Sequence, residues 1–141
     1  MRLGIINGPN LNMLGVREPG VYGNRTLDDI IESLKEEFQS DDIIDFQSND
    51  EGELISKVQE WGMSLDGIII NPGGYSHTSI AISDCLRLFQ GLIYEVHISN
   101  IYRREKFRRF SYLSDISSVV ICGLGFLGYE IALDLALTNH K

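Results

Sequence analysis

In the stretch "YEVHIS", residues 94–99, a carboxylate and an imidazole stand two positions apart at Glu95 and His97. Side chains alternate along a strand, so that spacing puts both groups on one side. A carboxylate beside an imidazole fixes its tautomer and favours the cationic ring, which suits a general acid near neutral pH. Two other runs carry groups of the same kind: "NGPN" with Asn7 and Asn10, and "NPGGYSH" with Asn71 and His77. Ser99 and Asn100 follow His97 directly. Each has a bland reading by itself, since Asn before Gly or Pro is common in turns and a histidine can cap a helix. Their gathering is what points to a site for a small polar molecule.

A second set of chemical groups lies in "LNMLGVREPGVYGNR", residues 11–25, which shows neither helical nor strand periodicity and contains three glycines and a proline. A loop of this length inside a small domain is usually functional or disordered. Placed after the first strand, it is expected to act as a lid carrying Arg17 and Tyr22. Tyrosine becomes a base only when its ordinary pKa of about 10 is brought near neutrality, a stabilisation of about 4 kcal/mol. One guanidinium about 4 Å away at an effective dielectric of about 20 supplies that much. Arg17 is therefore the candidate activator of Tyr22.

These groups need a scaffold. Runs rich in Ile and Val at residues 2–6, 43–47, 66–70, 92–96 and 118–122 read as strands. Helical periodicity falls between them at 26–39, 51–63 and 78–90, and again from about 126 to 138. Thr26 with Asp29 three residues on gives a capping-box signal for the first helix. Strands alternating with helices predict a parallel sheet covered on both faces: an α/β, flavodoxin-like three-layer sandwich with a five-stranded sheet in the order 2-1-3-4-5. In that order the strand direction of progression reverses between the first and third strands, where open α/β sheets bind ligands. Asn7, Asn10, Asn71, His77, His97 and Ser99 all follow strand ends at that mouth.

"GLGFLG", residues 123–128, has the G-x-G-x-x-G spacing of a dinucleotide fingerprint. A true fingerprint sits in the first strand-helix turn and needs a later strand with an acidic residue about 20 positions on. Thirteen residues follow Gly128 and read as one closing helix. The glycines are expected to serve a tight turn and close helix packing. Likewise "GGYSHTS" puts Ser76 in a strand-turn-helix setting, but a nucleophile elbow requires G-x-S-x-G and Thr78 stands at the last glycine position.

The chain of 141 residues fits one domain, residues 1–141, with a short tail at about 139–141. Its N-terminus lacks the features of a secretion signal, and no apolar run is long enough to span a membrane, so a cytoplasmic location is expected. The two cysteines, Cys85 and Cys122, read as small buried hydrophobes rather than metal ligands or a disulfide. A net charge of -8 disfavours general nucleic-acid binding. Against that background "RREKFRR", residues 103–109, holds five of the twelve Lys and Arg residues. It is either a solvated face or a local anion-binding loop.

Four stretches together, "INGPNLNMLGVREPGVYG", "IIINPGGYSHTSIAISD", "YEVHISNIYRREKFRRFSY" and "GLGFLGYEIAL", resemble the type II 3-dehydroquinate dehydratases, the small dehydroquinases of the shikimate and quinate pathways. The resemblance runs in order from about residue 3 to 137. It implies a flavodoxin-like subunit in a dodecamer of trimers, with no metal or organic cofactor. It also implies dehydration of the small molecule 3-dehydroquinate to 3-dehydroshikimate by anti elimination through an enolate. On this resemblance Tyr22 is the lid base, held anionic by Arg17, and Asn10 positions a water at the developing enolate oxygen. His97 is the acid for the departing hydroxyl, supported by Glu95 and Asn71. The Ile98 backbone and Ser99 hydroxyl receive the substrate carboxylate, His77 and Arg108 bond the ring hydroxyls, and Asp84 reaches the site of a neighbouring subunit. Arg103, Arg104 and Arg109 receive no role. The other chemistry for this reaction, a lysine imine, needs a desolvated lysine. Lys35, Lys57, Lys106 and Lys141 all fall away from strand ends.

Overall fold

The apolar runs form the strands of the computed structural model, which describes residues 1–16, 24–39 and 41–139. In chain order the elements are β1 (Arg2–Asn7), α1 (Leu27–Glu37), β2 (Asp42–Gln47), α2 (Glu51–Trp61), β3 (Gly67–Asn71), α3 (Ile80–Arg87), β4 (Leu92–His97), β5 (Val119–Cys122) and α4 (Leu127–Asn139). The strands pair in parallel as one five-stranded sheet in the order β2-β1-β3-β4-β5, the order expected from the sequence.

Both faces of the central strands are covered, which is why β1 and β3 read as nearly unbroken apolar runs. On one face α1 and α4 set Ile30, Leu34, Tyr129 and Leu133 against Leu3, Ile5, Ile69 and Val96. On the other, α2 and α3 set Leu54, Trp61, Ile82 and Leu86 against Ile6, Ile68, Ile70 and Ile93. Each such side chain taken fully out of water contributes about 1.5–3 kcal/mol, so the strand ends sit on a stiff base. The capping box of α1 forms in both directions: Asp29 N–H donates to Thr26 Oγ1 and Thr26 N–H to Asp29 Oδ2, each at 3.1 Å.

The structure corrects several boundaries. β1, β3 and β4 each run one residue further than their apolar runs, so Asn7, Asn71 and His97 are strand residues rather than loop residues. Their direction is therefore set by the pleat of the sheet. The third helix begins at Ile80, because Gly73–His77 is a separate 3-10 turn and Ser79 Oγ caps the helix through Ile82 N–H. Of the expected lid at residues 11–25, the structure describes residues 11–16 and 24–25. Leu11–Met13 form a 3-10 turn, and Leu11 and Leu14 are buried in the core, so that end of the segment is anchored. Helix α4 reaches Asn139, inside the expected tail. Cys85 is buried, whereas Cys122 is only half-buried at the end of β5.

The glycine-rich turn does structural work. Gly123 and Gly125 have φ of 81° and 60°, and their N–H groups donate to the carbonyls of His97, Ser99 and Ile98. A Cβ on Gly128 would lie 3.2 Å from Val96 Cγ1 and 3.3 Å from Ile121 Cγ2, so glycine there lets α4 press onto the sheet. Among the described residues no helix is long and apolar enough to cross a membrane.

Candidate active site

A cavity of about 200 Å³ opens over the carboxyl ends of β1, β3 and β4, where the strand order reverses. Asn10, Asn71, His77, His97, Ile98, Ser99 and Arg108 all line it. The structure thus brings together seven of the residues singled out from the sequence. Arg17 and Tyr22 lie outside the described residues.

His97 ends β4, and its Nε2 lies 3.0 Å from Glu95 Oε1 on the same side of the strand. Glu95 does not reach the cavity; it is fully buried beneath the imidazole. An isolated buried carboxylate would be strongly disfavoured, so its remaining lone pairs need donors. Ser111 Oγ donates to Oε1 and Ser114 Oγ donates to Oε2 at 2.6 Å. Burial pushes the Glu95 carboxyl up, but the hydrogen bonds from His97, Ser111 and Ser114 outweigh it, and the group is held below its ordinary range. The ionised carboxylate accepts the Nε2 proton and leaves Nδ1 as the ring nitrogen available for proton transfer.

His77 faces His97 with ring centroids 6.4 Å apart and planes 19° from parallel. Its Nδ1 is 2.7 Å from the Phe110 carbonyl, which can only accept, so Nδ1 carries the proton and Nε2 is an acceptor. Partial burial lowers the His77 pKa, and the His97 and Arg108 charges add to that against the opposing pull of the Phe110 carbonyl. Ser76 is fully buried under the same turn and donates to the Gly73 carbonyl at 2.7 Å. Its hydroxyl is not presented as a nucleophile would be.

Asn10 sits in the left-handed region with φ 70°, which Asn tolerates better than most residues. Its N–H donates to Asn49 Oδ1 at 3.0 Å, the Asn49 carbonyl accepts from Tyr75 Oη at 2.9 Å, and Gln47 Nε2 donates to Asn49 Oδ1 at 3.2 Å. Asn49 thus holds the strained turn, a role the sequence did not announce. At the other side of the cavity Arg104 Nη1 lies 3.4 Å from Ser99 Oγ, and Arg108 Nε lies 2.8 Å from Glu105 Oε2. Arg104 lines the cavity, so the basic run contributes two guanidinium groups rather than the one expected. Together they suit an anionic, oxygen-rich ligand.

Asp84 stands elsewhere. It is exposed in a second groove with Ile80, Arg87, Tyr102, Arg109 and Phe110. Among the described residues no lysine lines the cavity, Lys35 pairs with Asp45, and no group of three or more His, Cys, Asp or Glu is placed to hold a metal ion.

The profile of the family Dehydroquinase class II matches residues 1–137. The chain belongs to the class II dehydroquinases. It is 54% identical over 138 residues to the 3-dehydroquinate dehydratase of Polynucleobacter asymbioticus, covering 96% of this chain and 93% of that protein. It is 52% identical over 137 residues to Catabolic 3-dehydroquinase 1 of Fusarium vanettenii, covering 96% and 95%. Among solved structures, the type II dehydroquinase of Butyrivibrio crossotus superposes with a TM-score of 0.94 at 41% identity, covering 97% of each chain. The family match spans every described residue that lines the cavity.

Proposed function

We propose that the chain dehydrates 3-dehydroquinate to 3-dehydroshikimate by anti elimination through an enolate, as a step of the shikimate or quinate pathways. The observation that carries the reading is His97, backed by an ionised, fully buried Glu95 and opening into a cavity with Asn10, His77 and Arg108. The substrate is a β-hydroxy ketone with a carboxylate, so its elimination needs a base at the carbon beside the ketone and an acid at the hydroxyl.

Tyr22, held anionic by Arg17, takes the proton beside the ketone. The electron pair moves onto the carbonyl oxygen, where a water positioned by Asn10 stabilises the enolate. The enolate then re-forms the ketone as the carbon–oxygen bond to the hydroxyl breaks, and His97 Nδ1 gives that oxygen its proton. One proton is taken from carbon, one is delivered to oxygen, and water leaves. Transfer of the proton from Tyr22 back to His97 through solvent restores the starting state. The Ile98 backbone and Ser99 hydroxyl hold the substrate carboxylate beside Arg104, and His77 Nε2 and Arg108 hold the ring hydroxyls.

A dodecamer of trimers completes the proposal, with Asp84 of one copy reaching the cavity of the next. Support for this comes from the groove around Asp84, where Ile80, Tyr102 and Phe110 expose large apolar surfaces. Such patches on a small domain commonly mark contact surfaces.

An ultraviolet progress curve with purified protein and 3-dehydroquinate tests the reading through growth of the conjugated enone. Turnover that is insensitive to borohydride, and largely abolished in a folded Tyr22→Phe variant, is expected. No product from the folded, assembled protein overturns the reading, and near-normal turnover by Tyr22→Phe overturns the assigned base. Light scattering during gel filtration tests the assembly, and an active monomer refutes it.

A further inference from the structure

Asn7 and Asn71 are register partners at the ends of β1 and β3, so their side chains leave the sheet on the same face at the point where strand order reverses. Over them lies the phenol of Tyr129, from the first turn of α4 and fully buried. Its hydroxyl donates to Asn7 Oδ1 at 2.5 Å and accepts from Asn71 Nδ2 at 2.9 Å. Asn71 Oδ1 accepts in turn from Gly73 N–H at 3.2 Å.

This chain of bonds fixes an orientation. A phenol has one proton, and here Asn7 takes it, so toward Asn71 the oxygen can only accept. Asn71 must then present its NH₂ end to Tyr129 and its oxygen to Gly73. Rotating the amide by half a turn would set two acceptors against each other at Tyr129 and two donors against each other at Gly73. One N–H of Asn71 remains, on a residue that lines the cavity.

We propose that Tyr129 is a positioning residue for the dehydration, locking the Asn71 amide so that its remaining N–H is offered to substrate; this rests on the dehydratase reading above. The glycine-rich turn takes its purpose from the same geometry. The close approach at Gly128 seats the first turn of α4 against Val96 and Ile121 and delivers the next residue, Tyr129, over β1 and β3. A motif that looks like a nucleotide cradle thus orients a side chain of the active site from behind.

The test is steady-state kinetics with 3-dehydroquinate on wild type, Tyr129→Phe, Asn71→Ala and the double variant. Loss of one oriented hydrogen bond predicts a KM raised about tenfold in Tyr129→Phe with kcat within about threefold. In the Asn71→Ala background the second substitution should add nothing, because the group it orients is gone. A folded Tyr129→Phe with unaltered KM, or effects that multiply in the double variant, overturns the proposal. Asn7→Ala provides a second route should Tyr129→Phe not fold. It frees the phenol proton to turn toward Asn71 and should raise KM about threefold, and an unchanged KM refutes the lock. Wild type is measured first: absence of turnover there overturns the dehydratase reading and this proposal with it, whereas normal wild-type turnover with an indifferent Tyr129→Phe overturns this proposal alone.

Discussion

Glu95 Oε1 and His97 Nε2 lie 3.0 Å apart, but only the imidazole lines the cavity. The carboxylate therefore acts through the ring, accepting the Nε2 proton and fixing Nδ1 as the nitrogen left to the cavity. Glu95→Gln keeps the shape and removes the charge. Its kcat for 3-dehydroquinate should fall about 10²-fold, within the usual contribution of general acid catalysis, while KM changes little. A Glu95→Gln enzyme with wild-type kcat would show that the pair is only structural.

Two groups at the site, Glu95 and His77, contribute stability toward acid with the same sign. The folded state lowers the Glu95 pKa from 4.5 and the His77 pKa from 6.5. In both cases the unfolded chain binds more protons in the window between the two values, so stability is present above the unfolded pKa and is lost as pH falls. Melting temperature should drop first as pH falls below 6.5 through His77, and again below 4.5 through Glu95. Melting curves of wild type and Glu95→Gln from about pH 7 to about pH 3 check this, since the lower step should flatten in the variant alone.

Asn49 gives a third expectation. Its amide oxygen holds the N–H of Asn10, whose φ of 70° lies where a side chain is uncomfortable. Asn49→Ala leaves that N–H without its partner and frees Gln47 from one of its contacts. We expect a stability loss of about 1–2 kcal/mol by urea unfolding and a kcat reduced about tenfold, because Asn10 no longer holds its place at the cavity. Loss of stability with kcat intact would separate Asn49 from the chemistry.

The elements that position this site could be read because their signals are local. Ile and Val runs mark the strands, the central ones buried on both faces, and two-residue spacing places Glu95 and His97 together without knowledge of the fold. What stayed hidden depends on long-range partners. Ser111 and Ser114 reach Glu95 from 16 and 19 residues away, Asn49 reaches Asn10 across 39, and Tyr129 reaches Asn7 across 122. Hydroxyls and amides at such separations leave no periodicity. The anchored start of the proposed lid was different, because Leu11 and Leu14 stand three apart, the spacing of one buried face of a turn. The strands end one residue beyond their apolar runs because Asn7, Asn71 and His97 are polar and break those runs, although they continue the ladder.

The glycine-rich turn offers the last prediction. Gly123 has φ 81°, and a Cβ there would meet Asn100 Cβ at 3.2 Å, while Gly125 has φ 60° with nothing within 4 Å. Gly123→Ala thus carries both backbone strain and crowding, and the strain alone costs about 1–2 kcal/mol. Gly125→Asn meets only the backbone requirement, which Asn satisfies at small cost. Gly123→Ala should therefore lower the melting temperature by several degrees, about 2–8 °C for a domain of this size, and Gly125→Asn should leave it nearly unchanged. Because Gly123 N–H bonds the carbonyls of His97 and Ser99, Gly123→Ala should also raise KM for 3-dehydroquinate several-fold by disturbing the loop that carries Ile98 and Ser99. Thermal melts and steady-state kinetics on the two variants make the comparison. Equal destabilisation by both would mean that open space beside Gly125 matters less than the turn itself, and an unaltered KM in Gly123→Ala would detach the glycine turn from the substrate loop.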